Sequence, residues 1–330
     1  MEKISVVIPC RNEEKYIEQC IQSFIEMDYP NEFIEILVVD GKSTDRTKEI
    51  IFNLKKDHPF IRYIENPDKV TPVALNLGIK NASNEFVMIA SSHSTFSKNY
   101  ISEVISELKR INCDGAGGVV ITDVKNKSSK TLSICKVLSN KVGVGNSMFR
   151  IGTDNPMKVD IVPFGIYPKN LFYEVGFYNE KLIRNQDMEF SKRLLAEDKK
   201  IYLIPSAKST YFARETFREL AMNNYGNGLW VLLTIYVTKK ISSLSLRHFV
   251  PMIFVLSLLL PLILSVFIPE LFFITIAALA LYILTILFVT IKIKDGLTSY
   301  LYIFLSFITL HFSYGFGSIA GLFKIRKLFK

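Results

Sequence analysis

Residues 36–47 read ILVVDGKSTDRT, and this stretch decides the fold of the N-terminal part of the chain. It opens with a short apolar, mostly β-branched run, which is typical of a buried parallel strand. It then becomes polar, and Thr44 or Asp45 can cap the helix that follows. Ligands bind at the carboxyl ends of the strands in open α/β sheets, so Asp40 at the end of this run is a candidate ligand-binding residue. The alternative is a plain strand–turn–helix connection in which Asp40 is a turn residue.

The same stretch does not encode a phosphate-binding loop. Gly41-Lys42-Ser43 has the ending of that motif, but the motif needs a glycine five positions before the Gly–Lys pair. Ile36 stands at that position, so we exclude this class of site.

Apolar runs and amphipathic segments alternate around this stretch. Strands are predicted at residues 4–9, 61–64, 86–90 and 116–122, with helices between them. This order predicts an α/β fold with right-handed crossovers and a Rossmann-like, mostly parallel sheet. Residues 123–158 are polar and rich in Lys, Ser and Asn, and we expect them to form a mobile insertion.

The bulk composition limits the classes of function. The 330 residues carry a net charge of +9 and no arginine-rich or aromatic-interleaved patch. This balance suits a membrane surface or a phosphorylated ligand and gives no reason to expect nucleic acid. The four cysteines have no paired spacing, which favours a reduced cytosolic domain without structural zinc. The chain enters a strand at once, so no signal peptide is predicted.

Three long apolar runs dominate the C-terminal part of the chain. Each is long enough to span a bilayer, and together they predict membrane helices at about 249–268, 271–291 and 298–323. Lys239, Lys240 and Arg247 precede the first run and place the N-terminal domain in the cytoplasm, at the inner face of the cell membrane. The basic tail at residues 324–330 conflicts with three spans, because its charge predicts the cytoplasmic side. Either the third run is re-entrant, or the rule that basic residues lie on the cytoplasmic side fails here.

The predicted domain organisation has three parts. They are a cytoplasmic domain at 1–228, an interfacial helix and linker at 229–247, and a membrane region with two to three helices at 248–330. The run Leu229–Val237 is too short to span, and Trp230 lies near one end of it, which favours an interfacial helix. A core helix of the N-terminal domain is the alternative.

Four stretches in order resemble the family 2 glycosyltransferases. They read VIPCRNEE at residues 7–14, VVDGKSTDRT at 38–47, ALNLGI at 74–79 and NQDMEF at 185–190. The likeness covers about residues 3–215. The C-terminal runs are similar to those of the subgroup of exopolysaccharide, or succinoglycan-type, sugar transferases that act at the inner membrane face. The resemblance implies a glycosyltransferase A fold, a nucleotide-sugar donor and inversion at the anomeric carbon.

The resemblance also implies roles for individual residues. Those expected to line a nucleoside pocket are Pro9, Arg11, Glu13 and Asp40. Further candidates for binding the nucleotide sugar are Ser43, Lys69, Ser91 and Ser92. Asp187 matches the family's catalytic base, and inverting transfer needs a carboxylate that takes the proton from the acceptor hydroxyl. A helix N-cap is the structural alternative for Asp187, and Glu189 would point elsewhere on the same helix.

The metal site departs from the family pattern. Members usually carry Asp-x-Asp after the fourth strand, and the similar subgroup often has Asp-Ala-His, whereas this chain has Ser91-Ser92-His93. His93 is therefore the candidate ligand for a divalent metal such as Mn²⁺ or Mg²⁺. One imidazole and a hydroxyl make a poor Mg²⁺ site, because Mg²⁺ prefers carboxylate and water oxygens. Near Asn227 the chain lacks the basic residue of related enzymes and the Gln-x-x-Arg-Trp motif of processive synthases, which argues against processive synthesis.

These patterns predict an inverting transferase that moves one sugar, with a UDP-sugar as the expected donor. The expected acceptor is a lipid-linked or other membrane-borne saccharide in polysaccharide or glycolipid biosynthesis, with membrane lipids around the apolar runs. One alternative is transfer to polyprenyl phosphate itself. Another is a catalytically inactive subunit that binds a nucleotide sugar and scaffolds a partner.

Overall fold

The computed structural model describes residues 1–328, with side chains up to Ile325. The end of the predicted basic tail, Phe329 and Lys330, lies outside the described residues. The chain forms two compact units. The first comprises Met1–Ile121 with Met148–Phe212, and the second comprises Thr122–Ser147 with Ala213–Lys330. Residues 122–147 thus belong with the C-terminal helices, and the three-part division with limits at 228 and 247 stays a prediction.

Nine strands and thirteen helices are present in the described chain. Strands β1–β9 are Ile4–Cys10, Ile34–Asp40, Ile61–Glu65, Phe86–Ile89, Ser94–Phe96, Gly115–Asp123, Met157–Lys158, Ile166–Pro168 and Ile201–Phe212. Helices α1–α7 are Ile17–Ile25, Thr47–Asp57, Thr71–Asn81, Tyr100–Ile111, Ser129–Leu138, Lys141–Val144 and Met148–Ile151. Helices α8–α13 are Leu171–Glu174, Gln186–Ala196, Phe217–Thr238, Val250–Leu264, Leu271–Ile293 and Tyr300–Leu328.

The nine strands form one mixed sheet. Its order is β3-β2-β1-β4-β8-β6-β9-β5, and β7 pairs with β9. The pairs among β1, β2, β3 and β4 are parallel, as the βαβ order predicts. The pairs of β8 with β4 and β6, and of β9 with β5 and β7, are antiparallel. The sheet is therefore parallel among β1 to β4 and antiparallel in the pairs described for β8 and β9.

The register of the parallel strands sets the position of the site. Cys10 pairs with Asp40, and Asp40 pairs with Glu65, so strands β1, β2 and β3 end at the same level. Alternate residues of each strand point to opposite faces. Val6 and Ile8 lie in the core cluster under α1 and α4, and Val7 lies in the cluster under α3 and α9. Both faces are covered, which agrees with the nearly continuous burial of β1 and β2.

The predicted mobile insertion at residues 123–158 is wrong for its first half. Helix α5 begins with a capping box in which Ser128 and Thr131 bond each other's backbone N–H groups. Ile134 and Val137 are buried and pack with Phe307 of α13. The apolar positions of α5 are interleaved with Ser and Lys, so its composition resembles that of a loop although its spacing is helical.

Three helices of the second unit are long and apolar enough to cross a membrane. They are Leu246–Leu264, Leu271–Ile293 and Tyr300–Ile325. Their limits agree with the predicted runs within a few residues. The chain therefore has the character of a membrane protein.

Candidate active site

The loops that follow β1 and β2 are joined by hydrogen bonds. The Asn12 backbone N–H donates to Ser43 Oγ at 2.8 Å, and the Thr44 N–H donates back to Asn12 Oδ1 at 2.8 Å. Glu13 N–H donates to Thr47 Oγ1 at 2.7 Å. Asn12 has a positive φ of 56°, a conformation that Asn tolerates better than most residues. The two loops therefore form one connected floor at the carboxyl edge of the sheet.

Asp40 is buried within this floor, and both of its carboxylate oxygens are occupied. Ser43 Oγ donates to Oδ1 at 2.5 Å, and the Ser43 backbone N–H lies 3.2 Å from each oxygen. The Tyr63 hydroxyl donates to Oδ2 at 2.9 Å. Burial and the neighbouring Asp40 carboxylate raise the pKa of the Tyr63 phenol, so this hydroxyl keeps its proton and remains a donor. Asp40 thus holds the β2–α2 loop and β3 together.

A cavity of about 500 Å³ opens above this floor, in the first unit. Most of the residues predicted from the resemblance line it, although they come from distant parts of the chain. They are Pro9, Arg11, Glu13, Lys69, Ser91, Ser92, His93 and Asp187. Asp40 and Ser43 are not among the lining residues, so direct contact of either with a nucleoside stays a prediction.

Two cations flank Gly41 at this cavity. A Cβ atom built on Gly41 would lie 3.3 Å from Arg11 Cδ and 3.3 Å from Lys69 Cα, so the absence of a side chain lets both approach closely. Arg11 and Lys69 are both exposed. Within the part of the chain that the structure describes, neither forms an ion pair. Two uncompensated positive charges therefore face the cavity, where they suit an anionic ligand.

His93 is held by Glu13. Its Nε2 lies 2.8 Å from Glu13 Oε1, and the two side chains are 20% and 13% exposed. The His93 and Tyr16 rings form a T-shaped pair with a centroid distance of 5.0 Å. The carboxylate partner places the ring proton on Nε2, and Nδ1 is buried without a hydrogen-bond partner among the described residues.

This donor set does not fit a divalent metal held by the protein. Nε2 of His93, the predicted metal ligand, is engaged by Glu13, and Ser91 stands where the family pattern has a carboxylate. Among residues with described side chains, no three His, Cys, Asp or Glu residues group together. A single buried imidazole nitrogen falls short of the oxygen ligands that Mg²⁺ requires.

Asp187 lies in the first turn of α9 and faces the cavity. Asn185, two positions earlier, has a left-handed backbone, with φ of 63°, and occupies the N-cap position, so Asp187 is not the cap. The only side-chain hydrogen bond seen for Asp187 within the described chain is to the Met188 N–H, at 2.9 Å. Its side chain is exposed to the cavity but surrounded by protein, and this desolvation raises the pKa of the carboxyl above its ordinary value.

Glu189 has a different position, although it is only two residues away. It is 5% exposed, and its carboxylate pairs with Arg193 at 2.7 Å. Arg193 in turn donates to the backbone carbonyls of Val175, Gly176 and Phe177. Glu189 therefore stabilises the segment before α9 and does not face the cavity.

Several further lining residues were not predicted from the sequence. They include Asn66, Phe164, Tyr178 and Gln186. Gln186 is next to Asp187, and its buried Oε1 has no hydrogen-bond partner among the described residues. Asn66 precedes Lys69 in the same loop. Gln186 and Asn66 could have been found from the sequence because each is close to a predicted site residue. No sequence signal marks Phe164 or Tyr178.

A family model described as glycosyl transferase family 2 matches residues 5–175. The chain belongs to this family. A Methanococcus voltae protein named dolichyl N-acetyl-α-D-glucosaminyl phosphate 3-β-D-2,3-diacetamido-2,3-dideoxy-β-D-glucuronosyltransferase is 32% identical over 238 residues, covering 69% of this chain and 72% of that protein. Succinoglycan biosynthesis protein ExoA of Rhizobium meliloti is 24% identical over 225 residues, covering 68% and 67%. The chain is therefore a glycosyltransferase.

Solved structures agree on the fold. The mannosyltransferase PcManGT from Pyrobaculum calidifontis, solved in complex with GDP-Man and Mn²⁺, superposes with a TM-score of 0.62 at 14% identity. The match covers 98% of this chain and 88% of that structure. Similarity at this level shows the fold alone, and the expected glycosyltransferase A fold, with its mixed curled sheet, is confirmed.

Proposed function

We propose that this family 2 glycosyltransferase transfers a single sugar, with inversion, from a nucleotide sugar to a membrane-associated saccharide. The observation that carries the proposal is the position of Asp187. It is an acidic side chain that lines the same cavity as the cationic side chains of Arg11 and Lys69. No other Asp in the described chain lines this cavity.

In the proposed reaction Asp187 is the general base. The acceptor hydroxyl oxygen attacks the anomeric carbon of the donor and gives its proton to the Asp187 carboxylate. The bond between the anomeric carbon and the diphosphate oxygen breaks, and the nucleoside diphosphate leaves with that electron pair. The raised pKa of Asp187 makes its carboxylate a stronger base than a fully solvated aspartate, which favours the proton transfer.

Arg11 and Lys69 are proposed to balance the charge of the leaving diphosphate. Both line the cavity and lack an acidic partner in the described chain. Positive charge placed where negative charge develops lowers the barrier most. His93, held by Glu13, lines the same cavity, and Ser91 Oγ accepts from the His93 backbone N–H at 3.4 Å. The proposed steps do not use a metal ion, because the donor set around His93 does not fit one.

A lipid-linked saccharide is the proposed acceptor. The name of the Methanococcus voltae relative describes a transferase whose acceptor is a sugar on a dolichyl phosphate. Three helices of this chain are apolar enough to enter a bilayer, which would bring a lipid-borne acceptor to the enzyme. Together with the basic residues before the first of these helices, this supports action at the cytoplasmic face of the cell membrane.

The function can be tested by nucleoside diphosphate release from UDP-, GDP- and TDP-sugars. The full-length protein in detergent would be mixed with native membrane lipid, in Mn²⁺, Mg²⁺ or chelator. We expect release from one donor class, stimulated by lipid and retained in chelator. Arg11→Gln and Lys69→Gln should each lower it about tenfold or more, and Lys158→Gln on the exposed strand β7 should not.

Three outcomes separate the alternatives. An absolute requirement for metal would contradict the proposed role of the two cations. Release with polyprenyl phosphate as the only lipid would instead support transfer to the lipid phosphate. Nucleotide binding without release from any donor would overturn the enzymatic role and leave a scaffold subunit.

A further inference from the structure

Phe164 has an unusual backbone conformation at the wall of the cavity. Its φ is 53°, in the left-handed region that bulky side chains rarely adopt. The other non-glycine residues with positive φ in the described part of the chain are Asn, Asp or Lys, so Phe164 is the one apolar residue among them. Gly or Asn would adopt this conformation at a lower energetic cost. Residues held in costly conformations cluster at functional sites, so the ring of Phe164 is a candidate for a functional role.

Hydrogen bonds hold the backbone around Phe164 from two sides. The hydroxyl of the buried Tyr100 donates to the Phe164 carbonyl at 3.0 Å, and the same hydroxyl accepts from the Gly118 N–H at 2.9 Å. On the other side, the carbonyl of Gly165 accepts from the Ile89 N–H at 3.0 Å. The conformation of Phe164 is therefore fixed by its neighbours in the sheet and does not depend on a ligand.

The ring of Phe164 is also held in place, although the side chain is only half-buried. It forms a T-shaped pair with Phe96 at a centroid distance of 5.5 Å. Phe96 in turn contacts the rings of Phe24 and Tyr100 at 4.7 and 5.0 Å, and all three belong to the buried core of the sheet. Because Phe164 lines the cavity, it presents a preorganised apolar surface there, and a ligand that packs on it pays little for ordering the side chain.

The order of the strands indicates which part of a nucleotide sugar would meet Phe164. Strand β4 lies between β1 and β8, and β8 is antiparallel to β4, so the start of β8 lies beside the carboxyl end of β4. Arg11 follows β1, Ser91 follows β4 and Phe164 precedes β8. Neighbouring strands are about 4.8 Å apart, which places Phe164 two strand spacings from the strand that precedes Arg11. A donor whose diphosphate faces Arg11 would therefore extend past Ser91 toward Phe164.

The proposed base lies at the same end of the cavity as Phe164. Phe190 of α9 is about one helical turn from Asp187, and its ring contacts that of Tyr167 in β8 at a centroid distance of 5.8 Å. Burial raises the pKa of the Tyr167 phenol, and the nearby Asp187 charge raises it further. In the proposed transfer the anomeric carbon must lie close to Asp187. The sugar of the donor, and not its nucleoside, is therefore at the β8 end with Phe164.

We propose that Phe164 is a specificity-determining residue whose ring packs against the sugar of the nucleotide-sugar donor. The C–H groups on one face of a sugar ring suit the electron-rich face of an aromatic ring. This role rests on the proposed function and adds the group that distinguishes the donor from the nucleoside diphosphate product. Arg11 and Lys69 serve the diphosphate, which donor and product share. Phe164 serves the sugar, which the product has lost.

Calorimetry on the full-length protein in detergent tests this role without requiring turnover. The UDP-, GDP- and TDP-sugars would first be screened for binding to the unmodified chain. The affinities for the sugar nucleotide that binds and for its nucleoside diphosphate would then be measured in three variants. Phe164→Leu keeps an apolar side chain without an aromatic face, Phe164→Asn suits the positive φ and lacks the ring, and Phe164→Tyr keeps the ring.

The expected result is a selective loss of affinity for the nucleotide sugar. Phe164→Leu and Phe164→Asn should bind it roughly three- to tenfold more weakly, while their affinity for the nucleoside diphosphate stays within about twofold of the unmodified chain. Phe164→Tyr should bind both ligands like the unmodified chain. The Asn variant keeps the test valid if the Leu variant does not fold, because Asn tolerates this backbone conformation.

Tyr173→Leu is the matched control, because Tyr173 is an aromatic residue of α8 that is 60% exposed and is not among the residues that line the cavity. Both of its affinities should be unchanged. An equal loss of both affinities in the folded Phe164 variants would indicate a purely structural role and overturn the proposal, and so would an unchanged affinity for the nucleotide sugar. If the unmodified chain binds none of the nucleotide sugars, the proposed function itself is overturned, and the role of Phe164 with it.

Discussion

Asp40 and Asp187 both stand where an element ends or begins at the cavity edge of the sheet, yet their surroundings are opposite. Asp40 is fully buried, and its two oxygens accept hydrogen bonds from Ser43 and Tyr63. Asp187 is open to the cavity and accepts one local bond, from Met188. A carboxylate whose bonds are already made stabilises structure, whereas one that is desolvated and unpaired is available for proton transfer. The sequence motifs do not distinguish the structural carboxylate from the one available for proton transfer. The hydrogen-bond partners of each carboxylate do distinguish them.

The largest expected effect is on turnover by Asp187→Asn. The amide cannot take the acceptor proton, so kcat should fall roughly 10²- to 10⁴-fold. The mid-point of thermal unfolding should not fall, because the carboxyl has no buried partner to lose. The matched control is Asp198→Asn, an exposed position just after the same helix. Equal loss in the control, or normal turnover in Asp187→Asn, would contradict the assignment.

The next largest effect is on stability, by Asp40→Asn. The amide replaces one acceptor with a donor that faces the Tyr63 and Ser43 hydroxyls, and we expect a loss of about 1–3 kcal/mol in the free energy of unfolding. Urea titration of the full-length protein measures it. Asp57→Asn at the exposed end of α2 serves as control and should stay within about 0.5 kcal/mol. Unchanged stability together with lost nucleotide affinity would show that Asp40 contacts the nucleoside directly.

Glu13→Gln probes the contact that holds His93. A neutral partner weakens the charge-assisted bond to Nε2, so we expect nucleoside diphosphate affinity to fall roughly three- to tenfold, which corresponds to about 0.7–1.4 kcal/mol. Isothermal calorimetry reports this directly. Glu14→Gln is the neighbouring control, since the side chain of Glu14 is exposed and accepts only the Arg46 N–H at 3.2 Å in the described chain. A greater loss of nucleoside diphosphate affinity in Glu14→Gln than in Glu13→Gln would contradict the role of Glu13 and assign it to Glu14.

The smallest effect concerns the pH dependence of turnover. The raised pKa of Asp187 means that its carboxylate is protonated at a higher pH than an ordinary aspartate, whose pKa is near 3.8. Activity should therefore fall on acidification before ordinary carboxyls titrate. Folding stability changes in the opposite direction to activity. Because the pKa of Asp187 is raised in the folded state, its contribution to the free energy of unfolding decreases as the pH rises from the ordinary pKa to the raised one. An acid limb of kcat/KM at or below pH 3.8 would contradict the assignment.

The floor of the site could be predicted from the sequence because it is built from local signals. Strands that end in polar loops, such as the one ending at Asp40, mark the carboxyl edge, and the motif at residues 185–190 marks the start of α9. The bond between Glu13 and His93 could not be predicted, since the two residues are distant in sequence and meet only through the sheet. Glu13 and His93 could each be an ordinary polar loop residue, so neither residue type indicates the contact between them.

The shortest strands of the antiparallel half of the sheet and helix α5 were not predicted, for different reasons. Strands β5, β7 and β8 have two or three residues, too few for a periodic pattern. Helix α5 takes its stability from partners far along the chain, such as Ser133 Oγ with the Ser299 N–H, 166 positions away. Local composition carries no information about such contacts.

The most direct test of the contrast between Asp40 and Asp187 measures binding and turnover on the same variants. Asp187→Asn and Asp40→Asn would be compared with the unmodified chain by calorimetry with nucleoside diphosphate, and by nucleoside diphosphate release per folded molecule. We expect that Asp187→Asn binds normally and does not turn over, and that Asp40→Asn is less stable but turns over once folded. The reverse pattern, with turnover surviving in Asp187→Asn and abolished in folded Asp40→Asn, would contradict it.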